Sequence, residues 1–62
     1  MESNMKEQIA QMIITVERQL EYTLQELERA DEYGAPTKEF ELRVAEAKGE
    51  LKALRMVHGM LV

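Results

Sequence analysis

One short stretch, Gly34-Ala35-Pro36-Thr37, is the only strong interruption of helix-forming sequence in this chain, and it divides the 62 residues into two long segments. Gly34 can take the left-handed conformation that closes a helix, and Pro36 cannot continue one. Thr37 stands where a second helix would be capped. Glu39 and Glu41 follow it in the first turn, where the positive end of the helix dipole favours carboxylates. Ser3 or Asn4 is the candidate cap of the first helix. These signals predict helices over residues 4–33 and 37–59, a turn at 34–36, and a single domain over 1–62. A link this short between two long helices implies an antiparallel hairpin, with a first helix about 45 Å long.

Heptad spacing supports the same fold. Ile9, Ile13, Val16, Leu20, Thr23, Leu27 and Ala30 recur at alternating steps of four and three, as do Phe40, Val44, Ala47, Leu51, Leu54, His58 and Leu61. Both are seams of the kind that pack as knobs into holes. Folding the chain about residue 35 sets Ala30 near Phe40, Val16 near Leu54 and Ile9 near Leu61. Large residues then often meet small ones, which favours interdigitation. With one central turn, heptads and this length, the architecture resembles the Rop-type dimers, in which two helical hairpins form a four-helix bundle. No functional motif of those proteins can be matched here residue by residue, so the resemblance implies a fold only.

The composition fits helices and excludes much else. Glu, Leu, Ala, Met and Lys dominate, and Pro and Gly together number four. The chain is too apolar for a disordered tail and too poor in β-branched and aromatic residues for a small barrel. A domain this small buries only about 60% of its unfolded surface and needs a staple. There is no cysteine, so disulfides and thiolate metal sites are excluded, which leaves oligomerisation or an unusually well packed core. The net charge of −4 argues against nucleic acid and anionic lipid as partners. No run of about 18 apolar residues is present to span a membrane, and the N-terminus lacks the order of a signal peptide, so the cytoplasm is the expected compartment.

The second helix carries an unusual feature. Opposite its seam runs a second apolar row, Leu42, Ala45, Gly49, Ala53, Met56 and Met60. Charges are confined to the flanks between the rows: Arg43, Glu46 and Glu50 on one side, Glu41, Lys48, Lys52 and Arg55 on the other. A helix apolar on opposite faces must be covered twice, and the first helix can cover only one of them. Gly49 costs roughly 1 kcal/mol relative to alanine inside a helix, a cost that close backbone approach would offset. All five methionines fall at the open end of the hairpin with Ile13, Ile14, Val57, Leu61 and Val62. Flexible methionine side chains suit an adaptable contact or the core of a dimer. The row on the second helix, joined by Met12 and Ile14, is therefore the expected oligomer interface.

Other constellations carry less. Glu17, Glu21, Glu28, Asp31 and Glu32 form an acidic ridge on the first helix, either a solvated face or a docking edge for a basic protein surface. Lys48, Lys52 and Arg55 make a short basic edge that a dimer would double to six charges, the basis of an alternative nucleic-acid-binding function. His58 is better explained as a helix-end residue facing the negative end of the dipole than as a pH switch. No nucleophile pair, Glu-x-x-His motif or cofactor signature is present, so no catalysis, metal or cofactor is expected. Function is expected from contact with other helices: a homo-oligomeric hairpin bundle acting as a small regulator, inhibitor or adaptor, with a phage or bacterial source as an expectation. The remaining alternative is a structural subunit of a larger assembly.

Overall fold

The computed structural model describes residues 2–61, which form two helices packed as an antiparallel hairpin, α1 (Glu2–Glu32) and α2 (Lys38–Met60). The turn between them closes as its sequence demands. Gly34 has φ +70°, in the left-handed region. The Ala35 N–H donates to the Ala30 carbonyl at 2.8 Å and the Gly34 N–H to the Asp31 carbonyl at 3.1 Å. This pair of bonds is a Schellman closure, which satisfies carbonyls that the end of α1 would otherwise leave unpartnered. Pro36 follows directly and prevents the helix from resuming.

The helix ends differ from the sequence expectation in informative ways. Ser3 and Asn4 lie inside the first turn of α1, because the helix already runs from Glu2, so neither stands ahead of it as a cap. Tyr33 falls outside α1 because the closure uses it as the half-turned residue before Gly34. Thr37 does occupy the position before α2, and its carbonyl accepts the Glu41 N–H at 2.9 Å. Its side chain makes no capping hydrogen bond. At φ −111° and ψ −8° the residue is not in the extended conformation that aims a capping oxygen at the next amides. Gly59 does not stop α2, which continues to Met60.

The seams are where the heptads place them. Every seam position from Ile9 to Ala30 and from Phe40 to Leu61 is buried or half-buried. Thr23 fits this apolar line because its hydroxyl donates back to the Gln19 carbonyl at 2.8 Å, so its donor needs no partner across the interface. Arg55 on α2 donates to Glu17 on α1 at 2.9 Å, which centres the hairpin near residue 36. That agrees with a fold about residue 35.

What the hairpin lacks is an interior. Only Val16, Val44 and Leu51 are buried among the described residues, at 6%, 9% and 5% exposure. The molecule measures 49 × 14 × 11 Å and its radius of gyration is 14.6 Å. A compact 62-residue fold would have about 10.6 Å. Two helices side by side make one layer, and each hides a single stripe of the other. Folding entropy of about 1–2 kcal/mol per residue has little apolar burial to oppose it here. Because a Cβ at Gly34 would meet nothing within 4 Å, the cost of Gly34→Ala is purely conformational. We expect it to destabilise the protein by about 1 kcal/mol, read as a lower thermal midpoint by circular dichroism with native helicity at low temperature.

Candidate interaction surface

At about 100° per residue, steps of three and four return to one side of a helix. The seam of α2 faces α1, which leaves the row Leu42, Ala45, Gly49, Ala53, Met56 and Met60 on the outer side. All six are exposed, Leu42 at 59%, Met56 at 62% and Met60 at 77%. The middle of the row is small and its ends are large. A Cβ at Gly49 would meet nothing within 4 Å, so no contact inside the hairpin calls for a glycine there.

The structure does not join Met12 and Ile14 to this row. Both are exposed, but Ile14 is two positions from buried Val16 and so lies on the side of α1 turned away from α2. Met12 sits on a flank, bordering a shallow groove with Thr15, Val16, Gln19 and Glu50. The methionine-rich end is only partly described, since Met1 and Val62 lie outside the described residues. Met5, Met12, Met56 and Met60 are all exposed, and so are Ile14 and Val57, whereas Ile13 and Leu61 are half-buried in the seam.

Two charged features that the sequence presents separately are neighbours in the fold. The Arg55 guanidinium reaches across the helix pair to Glu17, the first residue of the acidic ridge, so ridge and basic edge run along the same side of the hairpin. The helical repeat places them together once the register is fixed near residue 36. Glu21, Glu28, Asp31 and Glu32 are exposed, and Glu28 and Asp31 border a shallow groove with Leu24, Leu27, Thr37 and Glu41. On the basic edge, Lys48 and Lys52 make no ion pair among the described residues, and neither do Glu46 and Glu50 on the opposite flank. Arg43 is occupied on that flank, donating to Glu39 at 2.9 Å with its guanidinium carbon 5.9 Å from the centre of the Phe40 ring.

The grooves are open to solvent and lined by the flanks of the helices; one runs past Arg18, Tyr22, Thr23, Arg43, Glu46 and Glu50. Tyr33 is exposed beside the turn, and His58 is half-buried in the seam, where its backbone carbonyl accepts the Leu61 N–H at 3.2 Å. Among the described residues no three His, Asp or Glu side chains are grouped to hold a metal ion, and no helix is long and apolar enough to cross a membrane.

Comparison with protein-family models, with curated proteins and with solved structures found no match. The surface of the hairpin therefore has to be read on its own physics.

The ion pair between Arg55 and Glu17 bridges the two helices at the surface, and exposed pairs contribute little. Arg55→Ala should cost less than about 1 kcal/mol, and chemical denaturation in about 0.5 M salt should find the difference largely gone. A greater, salt-insensitive loss would mean that this pair holds the helices together.

Proposed function

We propose that this chain is a non-enzymatic protein–protein interaction module that works as a homo-oligomer: two hairpins cover each other's outer α2 face, giving a homodimeric four-helix bundle that acts on another protein as a regulator, inhibitor or adaptor. The observation that carries this reading is the exposed apolar row on α2, set against a hairpin whose only buried side chains among the described residues are two valines and a leucine. Scattered apolar surface residues are ordinary, but six in register along one helix face are a contact surface in search of cover. A second copy supplies an identical row, already matched in length. The same contact covers α2 on its second side.

A nucleic acid is the poorer partner. The basic edge has three cations, one of them already paired with Glu17, and the acidic ridge runs alongside it. Cytoplasmic residence goes with this reading as an expectation.

The reading has a clean test because the hairpin has open space at Gly49. Gly49→Leu fits the isolated hairpin but blocks close approach of a second backbone. By sedimentation and concentration-dependent melting, the native protein should be a dimer whose thermal midpoint rises with concentration. Gly49→Leu should lose assembly, and Glu28→Lys, on the ridge, should keep it. A stably folded 7.2 kDa monomer at micromolar concentration would overturn the proposal.

A further inference from the structure

We infer that the second copy lies on α2 in the parallel sense, with the two α2 helices in register and crossing at Gly49, an orientation that rests on the dimer reading above. The observation behind it is that around Gly49 the two flanks of the outer face carry opposite charge, Glu41 being an acid on the basic flank nearer the turn. On one flank Glu46 and Glu50 are one helical turn apart, and on the other Lys48 and Lys52 are as well. Like charges at this spacing repel mildly within the helix. None of the four makes an ion pair among the described residues, whereas Arg43 and Arg55, farther round towards the seam, are each paired within the hairpin.

A two-fold axis can bring the outer faces together in two ways. If the axis is perpendicular to the helices, they run antiparallel and each flank meets its own image. The row centres near residue 51, so Glu50 would then approach Glu50 of the second copy, and Lys48 and Lys52 would approach Lys52 and Lys48. If the axis runs along the helices, they are parallel and each flank meets the opposite one. Glu46 and Glu50 then lie beside Lys48 and Lys52 of the second copy, offset by about 3 Å along the axis. One arrangement sets like charges against each other around Gly49, and the other pairs Glu46 and Glu50 with Lys48 and Lys52, with Glu41 outside these pairs.

The shape of the row agrees. In the parallel arrangement Ala45, Gly49 and Ala53 each meet their own image, and their spacing of four gives a small-residue waist where two backbones can come close. Leu42 at one end and Met56 and Met60 at the other meet their own images on either side of this waist. The usual penalty for placing helix dipoles side by side is small here, because each α2 already packs antiparallel against its own α1.

The chain has no cysteine, so single introduced cysteines report orientation directly. Leu42→Cys and Met60→Cys would be oxidised separately and as a refolded equimolar mixture, with Tyr33→Cys at the exposed turn as the collision control. The parallel arrangement predicts disulfide-linked dimers of each variant with itself, well above the control, and little mixed product by mass spectrometry. A mixed disulfide between L42C of one copy and M60C of the other as the main product would overturn the orientation and leave the dimer standing. No cross-linking above control, with a monomer mass for the unmodified chain, would overturn both. A second measurement avoids the row itself. Glu46→Lys with Glu50→Lys should weaken dimerisation roughly ten-fold, and adding Lys48→Glu and Lys52→Glu should restore it. An unchanged dissociation constant in the first variant would again exclude parallel packing.

Discussion

A helix can be hidden on one side by one neighbour, and α2 is apolar on two. This mismatch governs everything else about the molecule. The seam side of α2 is well covered: the heptads of both helices mesh, and their positions are the least exposed along the chain. The other side carries its own line of aliphatic residues and has nothing against it. Two rods lying side by side cannot make a closed core, whatever their sequence, because neither rod is surrounded.

The polar contacts do not change this balance. The pairs Glu17–Arg55, Glu39–Arg43 and Glu26–Arg29 are all at the surface. Pairs of this kind contribute between nothing and about 1 kcal/mol each. Only Glu17–Arg55 crosses between the helices, and stability has to come from apolar contact. For this reason the row on α2 bears more on function than the charged ridge or the basic edge, although both are more conspicuous in the sequence.

The hairpin is legible in the sequence because its signals are local and repeated. A heptad seam is stated several times over in each helix, and the Gly34–Pro36 turn is enforced by covalent geometry. The ends are less legible because they depend on one backbone torsion each: Thr37 has the right chemistry for a cap in a conformation that cannot use it, and a helix beginning at Glu2 leaves Ser3 and Asn4 no position ahead of it. The pairing of Glu17 with Arg55 requires the register between helices, which periodicity alone fixes only to within about a turn. The exposed row on α2 is legible in the sequence as a recurrence at steps of three and four. Met12 and Ile14 share with it only their nearness to the open end, and the structure places them on other sides of α1.

The polarity of the far side of α1 bears on how large a particle this chain can build. Gln11, Arg18, Gln25 and Arg29 are exposed there, and Ile14 and Tyr22 interrupt them. In the assembly we propose, the two sticky faces are consumed at the centre and the two α1 helices form its outer walls. On that reading a third hairpin would meet a largely polar wall, broken by Ile14 and Tyr22, in place of a second apolar row. The helix that completes the hairpin would then also limit how far its adhesive neighbour can build.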